Sequence, residues 1–479
     1  MHRNKSNKLK QLITYRYIDI IVAVITVTIS GLTLLGSNSL PITVTLLIAY
    51  LIPYIYYRRS AYHTLCGQIS LSIAFIAMAI FFWANYWQST VQLGTVYAPY
   101  LTNDALEYYE LSHHIHRHTL DADSPIVTYM GYPYFLSAFL FLGISDIAYP
   151  LICNIFAMLW TIILTGRCVH FLIEDNKAAM PISGYTMLLT SIIPGVLGYA
   201  TILAKEPYIT LAIMMCICAI YAIKQQHKVL QYSIIFLIGL GILATMRTTY
   251  IYVVMMFAVI AMVYNIKKRD IISLIIILLC CFIGINTGSI LFSWWGNNEY
   301  VGNYISNNYN HFSCGKSQEP LQQLIGDYHL FPLWKKFLLL PFSVAVQFII
   351  PFPFITATED YIQPYSMQIY LRMSYLWYIA AIPMLGYYMF YWWRKGSNKL
   401  SLLALSAAVA YFIPAFMTAG SVSRYAYCFV PIVAILGGYT IWRIIQHKNE
   451  RKQLGMFAII YSILIIIALF IGANPHYIL

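Results

Sequence analysis

The feature that most constrains this chain is the recurrence of apolar runs about 20 residues long, the length a helix needs to cross a hydrocarbon core. They return almost to the end of its 479 residues. In lipid, every backbone N–H and C=O must be satisfied within the protein, so runs of this length fold as helices rather than open strands. Charged residues make up 10% of the chain, against about 25% in soluble domains, and the mean hydropathy is +0.68. The expected fold class is all-α: a polytopic transmembrane helical bundle in one membrane domain.

The net charge of +12 could point to nucleic acid, but the basic residues form no stripe. They sit in short clusters between apolar runs, where the positive-inside bias places cytoplasmic loops. Nucleic acid is therefore not an expected partner, and membrane lipids are. The cysteines give no disulfide framework and no CxxC pair; Cys216, Cys218, Cys280 and Cys281 lie inside apolar runs, where free cysteine behaves as a small hydrophobe. The basic N-terminus leads into a full-length span, so no cleavable signal is expected.

Counting runs and keeping basic clusters on one side gives about 13 spans. They fall near 18–36, 40–57, 65–88, 146–173, 180–198, 207–223, 229–246, 249–265, 271–292, 369–393, 400–418, 426–445 and 455–472. Arg58, Lys177, Lys224, Lys268 and Lys395 then share the cytoplasmic side, the N-terminus with them, and the C-terminus lies outside. Two apolar stretches, 131–143 and the proline-interrupted 338–353, are too short to span comfortably; the first is expected at the outer surface, the second there or as a re-entrant piece. Polar loops at 89–130 and 293–337 face outward. No internal repeat is evident.

Four polar groups fall at the outer boundary, where placing them is unfavourable without a reason. Asp104 and Glu107 lie three apart, on one face of a helix. The plain reading is a capping pair, with Asp104 at the N-cap and Glu107 at N3; the functional one is a general base toward an acceptor hydroxyl, and both can hold together. Next come His113, His114, His116 and His118. The four-residue spacing of His114 and His118 would let them share a divalent metal, and the plain alternative is the polar face of an interfacial helix. Lys205-Glu206-Pro207 is either a neutralised pair at a helix start or a cation for phosphate with a carboxylate that orients it. Arg247 and Arg424 each interrupt apolar sequence, as phosphate ligands or as snorkelling side chains.

The arrangement resembles the GT-C superfamily of membrane glycosyltransferases, such as protein O-mannosyltransferases and aminoarabinose transferases. Asn103-Asp104 through Tyr108-Tyr109 is similar to the acidic opening of that family's first outer loop. Gly131-Tyr132-Pro133 is similar to its Gly-Tyr-Pro element, Lys205-Glu206-Pro207 to its Lys-Glu element, and Arg424-Tyr425 with Pro431 to its Arg-Tyr element. The family often has a pair of acids where this chain has Asn103 before Asp104.

The resemblance implies a GT-C-like core at 65–292 with its first loop at 89–130. Two additional helices precede it within 1–64, a large outer loop fills 293–368, and C-terminal helices fill 369–479. It further implies a polyprenyl-phosphate-linked sugar donor and a glycan, glycolipid or protein acceptor. The acceptor hydroxyl would attack with inversion, with Asp104 or Glu107 as base. Lys205, Arg247 and Arg424 would hold the donor phosphate, supported by Glu206, Tyr109 and Tyr425. No cofactor is required, and a divalent metal stays open. A bacterial inner membrane with the site on its periplasmic face fits, since the sole Asn-x-Ser/Thr site is Asn4, on the cytoplasmic side. The alternatives are a cell-surface polysaccharide polymerase or ligase, and a flippase for lipid-linked glycan. The latter would need charged residues in mid-span, where this chain has few.

Overall fold

A computed structural model of the chain describes residues 39–89, 103–119, 130–263, 267–296 and 427–446, short pieces at 334–338 and 402–407, and isolated positions elsewhere. Among the described residues every regular element is a helix: α1 Ser39–Arg59, α2 Leu65–Trp87, α3 Asn103–Arg117, α4 Gly131–Phe141, α5 Ala148–Leu172, α6 Asn176–Ser191, α7 Pro194–Tyr199, α8 Glu206–Lys224, α9 Val229–Met246, α10 Thr249–Val263, α11 Lys268–Gly296 and α12 Val430–Gln446.

Six of these carry stretches long and apolar enough to cross a membrane: Leu40–Arg59, Leu65–Trp87, Ala148–Leu172, Glu206–Lys224, Val229–Met246 and Lys268–Thr287. The protein is an integral membrane protein. The expected total of about 13 spans is not established by these six. Apart from isolated positions, the runs near 18–36, 369–393 and 455–472 and most of 400–418 lie outside the described residues, as do Lys395, Arg424 and Tyr425.

The expected single span at 180–198 is not one helix. It is α6, which stops at Ser191, followed by the six-residue α7. Pro194 explains the break: the residue before a proline is pushed out of the helical region, and Ile193 is extended at φ −70°, ψ 117°. Helix α3 begins at Asn103, so Asp104 lies inside its first turn rather than at the expected N-cap. Helix α4, with 11 residues, rises about 16 Å, roughly half a hydrocarbon core, and cannot span.

Burial sorts the helices. The apolar window of α8 is 83% buried and that of α11 only 22%. Helix α8 packs against α5 and α9, and α6 packs against α2, α5 and α12, so α5, α6 and α8 form the centre. The open side of α11 carries Ile272, Ile275, Ile276, Leu279, Phe282 and Ile283, all exposed and spaced as one helical face. Such a stripe is unfavourable in water and suited to lipid tails.

Lipid tails are as apolar as the helices, so close backbone approach has to supply association. Gly438 of α12 does this against α6: a Cβ added there would stand 2.2 Å from Thr186 Oγ1 and 2.7 Å from the Thr186 nitrogen. Nearby, Ser183 Oγ on α6 donates to the Gly166 carbonyl of α5 at 2.9 Å.

Chain direction alternates, and side-chain contacts tie the ends together. At one end Arg167 on α5 reaches Tyr56 on α1, Phe171 meets Tyr232 on α9, Gln225 after α8 donates to the Phe171 carbonyl, and Lys224 donates to the Ala261 carbonyl of α10. Arg58, Lys177 and Lys268 belong to this end by helix direction. A cavity of about 260 Å³ opens here, lined by Glu174, Lys224, Lys267, Arg269 and Asp270 among others. At the opposite end Asn85 binds the Thr201 carbonyl, Tyr199 meets Tyr427, and Lys205 faces Tyr108. The basic residues Arg58, Lys177, Lys224 and Lys268 thus gather at one end, and the α3 segment, Lys205 and Arg247 at the other.

Candidate functional site

At that second end, the turn joining α7 to α8 sets the geometry. Two fully buried amides hold it. Asn85 Nδ2 on α2 donates to the Thr201 carbonyl at 3.2 Å. Asn154 Nδ2 on α5 donates to the carbonyls of Ile202 at 2.8 Å and Ala204 at 3.4 Å. A buried carbonyl without a partner is unfavourable, so these bonds fix the approach of the chain to Lys205, the N-cap of α8. Pro207 follows in the first turn, where its missing N–H would have had no helical partner.

Lys205 and Glu206 are each only 7% exposed. Charged groups buried this far need compensation. The Lys205 ammonium stands 5.1 Å from the centroid of the Tyr108 ring on α3, within cation–π range. Behind it is an aromatic wall. Tyr108 meets Tyr132 edge-on at 5.4 Å, Tyr132 lies 6.1 Å from Tyr208, and Phe135 lies 5.0 Å from Tyr208. Burial pushes the Tyr132 hydroxyl well above its ordinary pKa, with the neighbouring Asn154 amide opposing and Glu206 adding to the rise. The Oη atoms of Tyr132 and Tyr208 and Oδ1 of Asn154 are buried without hydrogen-bond partners among the described residues.

Arg247 caps the C-terminus of α9 in extended conformation. Its guanidinium lies 5.6 Å from the Tyr250 ring, and Tyr250 in turn meets Phe429 at 5.5 Å. Cys428 is buried near both Glu206 and Arg247, with Thr210 and Tyr250 beside its thiol. Gly131, at the start of α4, lies against the Thr245 carbonyl, where an added Cβ would come within 2.3 Å. That close approach docks the Gly-Tyr-Pro segment beside Arg247.

Helix α3 carries the expected carboxylates. Asp104 is in its first turn, Glu107 is half-buried one turn on, and Tyr108 faces Lys205. Tyr109 turns elsewhere, edge-on to His113 at 4.5 Å. The histidines do not assemble. His114 Nδ1 engages the Thr119 carbonyl and hydroxyl at 3.1 and 3.2 Å. His116 packs on Phe141, and His118, at φ 56°, ends the helix in the left-handed region. Among the described residues no group of three or more His, Cys, Asp or Glu could hold a metal. Burial, and next to it Arg117, lowers the His113 pKa.

The structure therefore brings together Lys205, Glu206, Arg247 and the helix bearing Asp104 and Glu107, and leaves the histidines apart. Sequence reasoning missed Asn85, Asn154, Tyr208 and Cys428, and reached Tyr132 only through the Gly-Tyr-Pro resemblance. A signal existed for the two asparagines, since each is a lone amide within an apolar run.

Against known proteins, two solved structures are similar in backbone course. Both are archaeal oligosaccharyltransferases. One is AglB from Archaeoglobus fulgidus, in complex with an inhibitory peptide and a dolichol-phosphate: 12% identity, 83% of this chain and 54% of that chain covered, TM-score 0.46. The other is the Archaeoglobus fulgidus oligosaccharyltransferase in complex with Zn and sulfate: 13% identity, 82% of this chain and 51% of that chain covered, TM-score 0.45. The chain spans about half the length of each. No protein-family model matches the chain, and no curated protein does.

Proposed function

We propose that the chain is a membrane glycosyltransferase of GT-C type, taking a sugar from a polyprenyl-phosphate-linked donor to an acceptor hydroxyl at the Lys205 end of the bundle. By the basic-inside bias this end faces outward. The observation that carries the reading is the contact of Lys205 with Tyr108, which joins a buried cation to the helix carrying Asp104 and Glu107. Arg247 and Glu206 both lie near the buried Cys428.

A displacement at an anomeric carbon needs a base on the attacking side and positive charge on the departing side. The acceptor oxygen bonds to the anomeric carbon while the bond from that carbon to the phosphate oxygen breaks, and the configuration inverts. Asp104 takes the hydroxyl proton, with Glu107 as the alternative base. Lys205, Arg247 and Arg424 stabilise the negative charge that accumulates on the polyprenyl phosphate as it leaves. Glu206 keeps the Lys205 end of the clamp oriented, and Tyr109 and Tyr425 support the two segments. The acceptor is a glycan, a glycolipid or a protein.

The test uses purified full-length protein and a polyprenyl-phosphate-linked sugar, with release of polyprenyl phosphate as readout. Release by wild type, lost in Lys205→Gln and Arg247→Gln variants that keep their helicity, supports the reading. Release unchanged in both variants removes it.

A further inference from the structure

The opposite, basic end holds a second constellation that glycosyl transfer does not use. Arg167 points between α1, α5 and α9. Its Nη1 donates to Tyr56 Oη at 2.7 Å, and its guanidinium carbon lies 5.7 Å from the Tyr62 ring centroid and 5.3 Å from that of Tyr232. His170, one turn on, lies against Tyr62 with ring centroids 4.5 Å apart. Among the described residues no ion pair involves Arg167.

The hydrogen-bond inventory is short in one direction. Arg167 Nε, both ring nitrogens of His170, Tyr232 Oη and His227 Nε2 are buried and lack partners among the described residues. Tyr232 is fully buried. The Nε of arginine and the hydroxyl of tyrosine bring N–H and O–H donors, and neutral histidine brings one more in either tautomer. A half-buried cation with no counter-charge among the described residues and several unmet donors are each unfavourable. One ligand answers both: an anion with several acceptor oxygens.

We infer that this end of the bundle carries a binding site for the phosphate of an anionic membrane lipid, held by Arg167 with Tyr56, His170 and Tyr232. Location selects a lipid over a soluble anion. Arg167 precedes the end of α5 at Leu172 by five residues, about 8 Å along the helix, which is headgroup depth for a chain ending at the interface. Tyr56 is 40% exposed, and Ile52 and Ile55, within one turn of it on α1, are exposed too, giving acyl chains an apolar surface to follow. Tyrosine rings suit this boundary, and basic pockets between membrane helices suit acidic headgroups. A phosphoglycerol head brings net negative charge. A phosphocholine head brings a cation that Arg59 and Lys228, at the same end, disfavour. The site lies at the far end from Lys205 and is independent of the transferase reading.

The test is native mass spectrometry and thermal unfolding of the delipidated full-length protein in micelles doped with phosphatidylglycerol or phosphatidylcholine, with inorganic phosphate as a third arm. Wild type should retain phosphatidylglycerol in preference to phosphatidylcholine and unfold at a higher temperature with it. Arg167→Gln should weaken that retention about tenfold, as expected for losing a charged hydrogen-bond donor. Tyr232→Phe keeps the ring and removes one donor, so it should weaken retention severalfold, and it carries the test if Arg167→Gln does not fold. Arg59→Gln should retain the lipid as wild type does. The inference is overturned by equal retention of the two lipids, or by wild-type retention in both Arg167→Gln and Tyr232→Phe. It is also overturned by an equal loss in Arg59→Gln, which would mean diffuse surface charge, or by millimolar phosphate displacing the lipid, which would mean a soluble-anion site.

Discussion

The Lys205 ammonium rests 5.1 Å from the centre of the Tyr108 ring, although 97 residues of chain separate them. The contact compensates a cation that burial would otherwise disfavour, and it sets the distance between α3 and the start of α8. Tyr108→Phe preserves a ring face and should keep most transfer. Tyr108→Leu removes it, and a cation–π contact at a desolvated site contributes about 0.5–2 kcal/mol. Apparent donor affinity should therefore fall by about 2- to 30-fold. Equal donor dependence in the Phe and Leu variants would show that the ring is only filler.

Asn154 makes two bonds to the turn before Lys205. Asn154→Leu leaves the carbonyls of Ile202 and Ala204 without that donor in an apolar setting, a destabilisation of about 1–3 kcal/mol. It should lower the unfolding temperature and, in protein that remains folded, reduce turnover more than Asn154→Gln does. Asn154 touches neither donor nor acceptor in this scheme, so it acts by positioning. A Leu variant with wild-type turnover and only lowered stability would restrict Asn154 to a structural part.

The two carboxylates of α3 separate by rate and stability. If Asp104 is the base, Asp104→Asn lowers turnover by about 10²–10⁴-fold with little change in unfolding temperature. A carboxylate that serves only the first turn of a helix is worth about 0.3–1 kcal/mol through the macrodipole, and its loss would leave turnover nearly intact. Glu107→Gln, measured in parallel, assigns the base: whichever variant loses turnover while staying folded names it.

Much of the fold was legible because lipid imposes a length rule. Helices α1, α2, α5, α8, α9 and α11 fall close to where apolar runs and basic clusters put them. The failure at 180–198 came from weighing hydropathy without the geometry of Pro194: apolar content says that a segment enters the membrane, while the residue before a proline decides where the helix stops. The site was half legible. Lys205 and Arg247 stood out as charges between apolar runs, and the structure sets both at one end. The partners that bury them did not stand out. Tyr208 and Cys428 look in sequence like ordinary apolar-run residues, and only non-local packing gives them a place. For the histidines, i, i+4 spacing supplies two ligands and says nothing about a third. Arg424 and Tyr425 lie outside the described residues, and their part in the site rests on sequence alone.

Helix–helix contact at Gly438 offers a test of the bundle itself, apart from any activity. With backbone atoms of Thr186 within 3 Å of an added Cβ, even alanine forces α12 away from α6. Gly438→Ala should destabilise by about 1–3 kcal/mol, as overpacking typically does, and Gly438→Leu by more. Gly455, where an added Cβ meets nothing within 4 Å among the described residues, is the matched control. Thermal unfolding in one detergent decides the matter, and equal midpoints for the alanine variants at the two positions would contradict the packing described.

Arg247 and Arg424 provide the sharpest contrast between binding and snorkelling. Arg247 already has a definite setting, over the Tyr250 ring and beside the Cys428 that Glu206 also flanks. A phosphate gripped by guanidinium receives two parallel hydrogen bonds, which lysine cannot reproduce although it keeps the charge. Arg247→Lys should therefore raise the donor concentration needed for half-maximal transfer, and Arg247→Ala should raise it further, with the same order at Arg424. An arginine that only reaches for the headgroup layer would accept lysine freely, since lysine snorkels as well. Donor titrations of the four single variants decide between the two. Lysine variants that match wild type at both positions would remove the shared clamp, whereas a loss at Arg247 alone would place the phosphate beside Lys205 without Arg424.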